Sequence, residues 1–282
     1  MTDHSDPFAL FPYRAIVDAP KVTWPNGARV AVWVIPNVEH FHLELGPQAP
    51  DVRNYSRRDY GNRVGLWRIM EVLAKHSCRG TVALNGEVAR YYPRIMEAMA
   101  ALKWELMGHG LTNSRILAGM DIETERKTVL ETRALIEGVG QKMKGWLGPG
   151  LTETWNTLDL LKEAGAEYVA DWVSDDLPFK MNNGLYTIPY SLELNDMPLF
   201  NNPSISITDF ERRICDSFDT LYAEGAQNGR VLGIALHPFL IGAAHRIKYL
   251  DRALGYIASH DKVWFATGEE IIAAYRAQEP SA

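Results

Sequence analysis

Residues 104–115 read Trp-Glu-Leu-Met-Gly-His-Gly-Leu-Thr-Asn-Ser-Arg, and the stretch changes from apolar to polar around a single glycine, Gly108. The run up to Gly108 is typical of a short buried strand, and a polar loop follows it at once. In a β/α barrel, a strand that ends in this way delivers the next side chain to the rim where the chemistry takes place. His109 stands directly after this run and is therefore the first candidate functional residue.

The same alternation of apolar runs and amphipathic stretches extends along the whole chain. A β-rich run at 29–36 predicts a buried strand, and the apolar spacing at 61–76 predicts a helix. Further strands are predicted at 80–84, 103–107, 144–147, 167–173, 185–190, 192–196, 231–236 and 262–265, and further helices at 87–101, 121–138, 155–164, 206–226, 245–259 and 267–277. About seven strand–helix units in succession favour the α/β class, with parallel strands that close into a barrel.

Composition limits the classes of function. The chain has 282 residues, 46% of them hydrophobic and 23% charged, which is enough for a sizeable core. A net charge of −6 without a basic run argues against nucleic acid as the partner. The polar N-terminus lacks the apolar core of a signal peptide, and no apolar stretch reaches the roughly 18 residues that span a bilayer. Cys78 and Cys215 have no CxxC partner, so we expect reduced thiols in a cytoplasmic protein that does not bind membranes.

Polar side chains collect at the ends of the predicted strands. They are Asn37, Glu39, His40, Asn85, Glu87, His109, Thr112, Asn113, Asp171, Trp172, Asp175, Asp176, Glu193, Asn195, Asp196 and His237. Because the carboxyl ends of parallel strands meet at one rim, we expect these groups to face a common site. Histidines and carboxylates within a few ångströms of each other suit either a metal or a general acid–base pair.

Each of these residues also has a purely structural interpretation. His109 could be a satisfied polar residue in a turn, Glu39 part of a solvated loop, and His237 a buried histidine bonded to backbone. Asp176 stands next to Asp175 before a proline, where turn and cap chemistry is common. Ser114 lacks the GxSxG context, so the sequence does not favour a serine hydrolase.

These residues resemble the NodB-homology family of polysaccharide deacetylases, over a span from about Pro12 to Tyr275. The family's motifs are Asp-Asp after the first strand, His-Ser-x-x-His after the third, Arg-Pro-x-Gly, and a late Leu-x-His. On this chain those positions hold Glu39-His40, His109 to Asn113, Gly148-Pro149-Gly150 without the arginine, and Ala235-Leu236-His237. The resemblance implies one distorted (β/α)7 barrel of the glycoside hydrolase/deacetylase type over residues 1–282, with 1–11 as an arm that is flexible or docked at an interface.

Longer stretches resemble one branch of this family. They lie at 59–68, 175–178, 188–197, 236–238 and 260–265. That branch includes cofactor-independent allantoinases and cyclic-imide hydrolases, whose known substrates are small cyclic amides. The resemblance therefore implies a hydrolase of non-peptide carbon–nitrogen bonds in a small, cyclic or linear amide. Two alternatives remain open. The first is a metal-dependent carbohydrate N-deacetylase, and the changes in the family's metal-binding motif argue against it. The second is a catalytically inactive binding barrel, which the same changes in the motif suggest.

The resemblance also implies roles for individual residues. In the family one aspartate is the general base, the other binds zinc or a similar ion with two histidines, and the late histidine is the general acid. We expect Glu39 to be the base here, with His109 and His237 polarising the carbonyl or protonating the leaving nitrogen. Residues expected to bind the substrate are Asn113, Trp172, Asp176, Glu193 and Asn195.

The metal is the open question at this stage. Asn113 is a poor zinc ligand, because a neutral amide oxygen binds weakly beside imidazole or carboxylate. We expect either no cofactor or a weakly bound divalent ion, zinc in the first place, held by His40 and His109 with Glu39 as a possible third ligand.

Assembly is the last expectation from the sequence. The high aromatic content, with eight tryptophans and twelve tyrosines, favours a homo-oligomer, a dimer or tetramer, that binds a small-molecule amide. The polar segment 38–60 is too long for a routine connection. It is expected to form either a lid over the site or part of a subunit interface.

Overall fold

The computed structural model describes residues 6, 8–46, 48–202 and 204–279. The strands are β1 (Val30–Val38), β2 (Glu44–Gly46), β3 (Ala49–Pro50), β4 (Thr81–Leu84), β5 (Glu105–Gly108), β6 (Gly145–Trp146), β7 (Tyr168–Val169), β8 (Phe179–Lys180), β9 (Tyr186–Thr187), β10 (Arg230–Leu236) and β11 (Val263–Phe265).

The helices surround the sheet that these strands form. They are α1 (Val52–Tyr60), α2 (Leu66–Lys75), α3 (Gly86–Tyr91), α4 (Pro93–Ala101), α5 (Ile122–Glu137), α6 (Thr157–Glu163), α7 (Asp196–Asn201), α8 (Ile207–Glu224), α9 (Ile247–Ala258) and α10 (Gly268–Arg276). A π-helical turn, Gly61–Gly65, joins α1 to α2.

The centre of the sheet is β1, in which all nine residues are buried. Its run of valine, alanine, tryptophan and isoleucine is apolar on both faces, as a strand covered on both sides requires. The strand order is β10-β1-β4-β5-β6-β7-β9-β8, with β11 pairing to the start of β1. Every pairing in this sheet is parallel except β8 with β9. This curled parallel sheet with surrounding helices confirms the predicted fold class.

The topology brings the ends of four strands to one edge. Because β10, β1, β4 and β5 are parallel neighbours, the residues that follow them lie side by side. These residues are Glu39 after β1, Asn85 after β4, His109 after β5 and His237 after β10. The fold therefore assembles a single rim from segments that are distant in sequence.

Several segments differ from their predicted structure, among them the helix predicted at 87–101, which is two helices, and the strand predicted at 185–190, which shortens to Tyr186–Thr187. The polar segment 38–60 is not a loop throughout, since it contains the β2–β3 hairpin and helix α1. Helix α1 carries no apolar stripe, and Asp51 caps it by accepting from the backbone N–H of Asn54 at 3.1 Å. The predicted strand 167–173 shortens to two residues, and the extended piece 192–196 ends where Asn195 caps helix α7.

The described part of the N-terminal arm packs on its own barrel. Leu10 O accepts from the backbone N–H of Asn182 at 2.8 Å, and the Phe11 ring lies 5.4 Å from that of Trp172. Residues 1–5 and 7 of the predicted arm lie outside the described residues. Within the ranges that the structure describes, no helix is both long and apolar enough to cross a membrane.

A close backbone contact holds the π-helical turn against the loop after β10. A Cβ on Gly65 would lie 1.9 Å from Pro238 O, so the two segments approach this closely only because Gly65 has no side chain. We expect Gly65→Ala to lower the free energy of unfolding by about 1–3 kcal/mol or more through overpacking, measured by urea denaturation.

Gly255 is the matched control for this substitution. It lies inside α9, and the nearest atom to a Cβ there would be 3.3 Å away and belong to the His76 side chain, not to backbone. Gly255→Ala should be neutral or stabilising by up to about 1 kcal/mol, because alanine favours a helix interior. An unchanged denaturation midpoint for Gly65→Ala would show that the packing is looser than the structure indicates.

Candidate active site

The three predicted catalytic residues meet at the rim. Glu39, His109 and His237 are all buried, with exposed fractions of 7%, 2% and 5%. Glu39 Oε1 lies 3.5 Å from His109 Nε2 and 3.7 Å from His237 Nε2. One carboxylate oxygen therefore stands between two imidazole rings, although the roles of these residues stay predictions.

The hydrogen bonds of His109 fix how its ring is used. His109 Nδ1 lies 2.7 Å from Leu147 O, and because a carbonyl only accepts, Nδ1 carries the proton and donates. The Nε2 atom is then the one directed at Glu39. The strand end at Leu147, after β6, thus orients the imidazole that β5 supplies.

His237 is held by a buried carboxylate that is not among the predicted catalytic residues. Asp196, with no exposed surface, lies 2.7 Å from His237 Nδ1 and accepts from the His237 backbone N–H at 2.9 Å. It also accepts from Ile241 N at 3.2 Å. Burial by itself would lower the pKa of His237, but the Asp196 carboxylate, together with the charge of Glu39, raises that pKa above the usual histidine value.

Glu39 stays charged although it is buried. Burial alone would raise the pKa of Glu39, yet the hydrogen bond from His109 and the charges of His237 and Arg58 lower it below the usual value. Asn113 Nδ2 donates to Glu39 Oε1. Glu39 Oε2 has no hydrogen-bond partner among the described residues and faces Arg58 Nη1 at 3.6 Å. This second oxygen is therefore available to bind a water or a substrate proton.

Arg58 is a site residue that the sequence did not reveal. Its guanidinium comes from α1 and stacks 3.7 Å from the Phe41 ring centre and 4.8 Å from that of Phe239. Burial lowers the pKa of Arg58, while Glu39 acts in the opposite direction. The only signal in the sequence is the Arg57-Arg58 pair in a polar segment, which does not indicate which arginine faces inward.

A cavity of about 10 Å³ lies beside Glu39 and Arg58. Its other walls are Phe41, Tyr55, Asp59, Asn62 and Tyr92. This volume holds about one water molecule. Four of these residues belong to α1 or to the turn after it, so the segment 38–60 forms a cover over the site within the chain itself. A role for this segment in a subunit interface stays a prediction.

Asn113 is fixed by its neighbours on both sides. Its Oδ1 accepts from Asn85 Nδ2 at 2.9 Å, and its backbone N–H donates to His40 O at 3.1 Å. Because the amide oxygen is occupied, the N–H group is the one that faces Glu39. Asn113 therefore positions the carboxylate, and Asn85, unassigned from sequence, positions Asn113.

Asp176 and Glu193 do not join the cluster. Asp176 O accepts from Val231 N at the start of β10, whereas His237 follows the end of that strand. Six residues of strand separate these points by about 20 Å, so Asp176 lies toward the opposite end of the barrel. The Glu193 side chain is 84% exposed and pairs with Arg213 at 3.1 Å. The structure therefore does not bring Asp176 or Glu193 to Glu39, and a substrate contact for either stays a prediction.

Trp172 and Asn195 have structural partners. The Trp172 indole N–H donates to Glu153 at 3.1 Å, while its ring packs on the N-terminal arm. Burial raises the pKa of Glu153 to about 7, and this carboxyl lies beside Asp171, which accepts from Gly148 N at 2.8 Å. Asn195 caps α7 by accepting from Met197 N at 2.9 Å. A substrate-binding role for Trp172 or Asn195 stays a prediction.

A curled parallel sheet that gathers a carboxylate and two histidines at its strand ends defines a barrel of the deacetylase type. The family description "Polysaccharide deacetylase" matches residues 56–169 of the chain. A Schizosaccharomyces pombe protein named "Putative polysaccharide deacetylase" is 28% identical over 299 residues, covering 91% of this chain and 93% of that protein. Residues 56–169 therefore match the polysaccharide deacetylase (NodB) domain that the resemblance predicted.

Two solved structures share this architecture over nearly the full chain. One, titled as the crystal structure of Puue Allantoinase, has a TM-score of 0.84 and 29% identity, covering 94% of this chain and 96% of its own. The other, a probable polysaccharide deacetylase from Pseudomonas aeruginosa PAO1, has a TM-score of 0.85 and 29% identity, covering 94% and 97%. The chain is thus similar to proteins named for two different activities.

The residues around His109 do not fit a metal of the kind that the family implies. Asn113 turns an N–H group toward Glu39, and a donor cannot ligate a cation. The predicted second ligand, His40, has its Nδ1 3.2 Å from Tyr92 OH and its Nε2 3.8 Å from Glu87. Among the described residues, no set of three potential ligand atoms within 4.8 Å of one another includes His109. The structure therefore does not bring His40, His109 and Glu39 together as one set of ligands.

The raised pKa of His237 gives the first prediction for the site. We expect Asp196→Asn to lower the pKa of His237, because a neutral amide no longer favours the imidazolium. Histidine titration by NMR on the folded protein measures this, and the imidazolium should be lost at a lower pH than in the wild type.

Asp251→Asn is the matched control, since Asp251 lies 2.7 Å from the ring of His76 in a second histidine–carboxylate pair. It should leave the His237 titration unchanged. If Asp196→Asn also left it unchanged, Asp196 would not be the group that sets the charge on His237.

Proposed function

We propose that this chain hydrolyses a non-peptide carbon–nitrogen bond in a small cyclic amide. The observation that carries the proposal is the buried Glu39 carboxylate between His109 and His237, beside a cavity of about 10 Å³ that holds about one water. Amide hydrolysis needs an activated water, a stabilised oxyanion and a proton for the leaving nitrogen. The chain offers a separate group for each of these tasks.

Glu39 serves as the general base. Its lowered pKa keeps it ionised at neutral pH, and Oε2 has lone pairs that no described residue occupies. Water beside this oxygen gives one proton to Glu39 as its oxygen attacks the carbonyl carbon. Asn113 and Arg58 hold the carboxylate from its two sides and keep it in the orientation for this transfer.

His237 serves as the general acid. The Asp196 carboxylate raises the pKa of His237 and so favours the imidazolium, with Nδ1–H bound to Asp196 and Nε2–H directed into the site. When the carbon–nitrogen bond breaks, the Nε2 proton passes to the leaving nitrogen. With a proton on both ring nitrogens, His109 donates from Nδ1 to Leu147 O, and its Nε2–H, on the other side of Glu39 Oε1, is placed to donate to the carbonyl oxygen as that oxygen gains negative charge.

The burial of the site favours a small substrate over a polymer. A polysaccharide chain needs an open groove that passes the reacting groups, whereas Glu39, His109 and His237 each expose less than a tenth of their surface. The 29% identity to a structure titled as an allantoinase supports the same choice.

Carbohydrate N-deacetylation is the second candidate. The names of the Schizosaccharomyces pombe and Pseudomonas aeruginosa proteins favour it, and an N-acetyl group is also an amide. The two candidates share the same base and acid. They differ in the shape of the substrate, so a panel of hydantoins, cyclic imides and N-acetyl sugars distinguishes them.

The central test replaces the base. We expect Glu39→Gln to lower turnover of the accepted substrate by at least about 10²–10⁴-fold, because an amide cannot take the proton from water. Steady-state kinetics on the panel measure this, and circular dichroism verifies folding. Glu71→Gln, an exposed substitution on α2, is the control and should keep full activity.

Each outcome of this test is informative. Turnover of the cyclic amides alone supports the proposal, and turnover of N-acetyl sugars alone selects the second candidate. If wild type turned over nothing in the panel, the inactive binding barrel would replace both. Full activity of folded Glu39→Gln would remove Glu39 from the mechanism.

Arg58 gives a prediction for the pH dependence. The acidic limb of kcat/KM reports the pKa of the free base, which Arg58 helps to lower. Removing that charge with Arg58→Met should raise the pKa of Glu39 and move the acidic limb to higher pH, and Arg58→Lys should partly restore it.

Arg57→Met is the control for Arg58→Met. Arg57 lies on the same helix, 5.4 Å from the Phe239 ring centre, and is not among the groups that shift the pKa of Glu39. The acidic limb of the kcat/KM profile of Arg57→Met should match that of the wild type. An equal shift in both variants would mean that the net charge of α1, and not the contact with Glu39, sets the profile.

A further inference from the structure

A second group of potential ligands lies beside the catalytic cluster. His40 and His42 follow β1, and Glu87 lies in the first turn of α3. Glu87 Oε2 is 3.1 Å from His42 Nε2 and 3.8 Å from His40 Nε2. One ligand atom from each residue lies within 4.8 Å of the other two. Ligand atoms around a tetrahedral zinc with bonds near 2.1 Å are about 3.4 Å apart, which is close to these separations.

The hydrogen bonds around His40 prepare the ring for a cation. Its Nδ1 lies 3.2 Å from the hydroxyl of Tyr92, which can accept the Nδ1 proton and leave the Nε2 lone pair directed at Glu87. A metal-binding imidazole usually has such a partner on its other nitrogen. The Tyr92 hydroxyl thus supplies the outer contact that a ligand at His40 requires.

The donor set and its exposure match one class of ion. Two imidazoles and one carboxylate are typical of zinc, with a water in the fourth position. The side chains of His40, His42 and Glu87 are 14%, 30% and 14% exposed, so solvent reaches the group from one side. The other Glu87 oxygen faces Arg90 at 3.9 Å, which leaves Oε2 as the ligand atom.

The pair of His76 and Asp251 also joins a histidine to a carboxylate, but its surroundings do not suit a cation. His76 lies 2.7 Å from Asp251, but the third neighbour is Lys75 Nζ, 2.8 Å from the same carboxylate. An ammonium group in that place repels a cation. At Glu87 Oε2 the corresponding neighbour is a second imidazole, which can be neutral and bind.

We propose that His40, His42 and Glu87 bind one divalent cation of the zinc class, outside the cluster of Glu39, His109 and His237. The ion would tie the segment after β1 to helix α3. That segment carries Glu39, and His40 O already accepts from Thr112 Oγ1 at 2.9 Å. The ion would therefore restrain the segment that carries Glu39, in addition to the contacts that Asn113 and Arg58 make with the Glu39 carboxylate. This proposal does not depend on the substrate or on the reaction.

The experiment uses the full chain after removal of metals with a chelator. Titration with Zn²⁺ in a calorimeter should give one site per chain, and Co²⁺ should give the visible absorption of a four-coordinate ion. His42→Ala and Glu87→Gln should abolish both signals, and Tyr92→Phe should weaken Zn²⁺ binding about 10-fold or more. His76→Ala should bind as the wild type does.

Thermal denaturation provides a measurement that needs no bound-ion spectrum. Zn²⁺ should raise the Tm of the wild type and of His76→Ala but not that of folded Glu87→Gln, because only an intact site stabilises the native state. Equal Zn²⁺ binding by the wild type, His42→Ala and Glu87→Gln would overturn the proposal. The proposal would also be overturned if His109→Ala lost the ion while His42→Ala kept it, because the ion would then bind at the metal position that the family implies, beside His109.

Discussion

A carboxylate that is buried and still ionised is the constraint on which this site depends. An isolated charge in a protein interior is very costly unless it is paired and hydrogen-bonded. Glu39 meets that condition with an amide N–H from Asn113, two imidazoles within 3.7 Å, and the guanidinium of Arg58 at 3.6 Å. These partners come from the segments after two strands, β5 and β10, and from one helix, so the charged state of Glu39 requires the closed fold.

The cover over the site depends on close contacts between backbones. Helix α1 and the π-helical turn bring Arg58 over Glu39, and Gly61 and Gly65 allow that turn to lie directly on the loop at Pro238-Phe239. The same loop begins with His237, so the general acid and the cover share one support. Exclusion of solvent by this cover strengthens every electrostatic interaction inside, which suits a site that moves protons between fixed groups.

The sequence predicted the positions that follow directly from chain order. Glu39, His109 and His237 each come immediately after a buried strand, and parallel neighbours must bring such positions to one edge. The same reasoning misplaced Asp176 and Glu193, because it assumed that each segment after a strand stays at the rim. After β7 the chain instead returns toward the start of β10, a path that apolar periodicity does not encode.

By itself, the sequence determined the order of strands and helices, the fold class and the identity of three residues in the cluster, since local periodicity and strand ends carry that information. Only the tertiary structure decided which groups touch them. Asp196 and His237 are 41 residues apart and Arg58 belongs to a helix with no apolar stripe, so neither contact has a local signal. The orientation of the His40 ring is likewise set by packing. His40 therefore faces Glu87 and not the metal position beside His109 that the family implies.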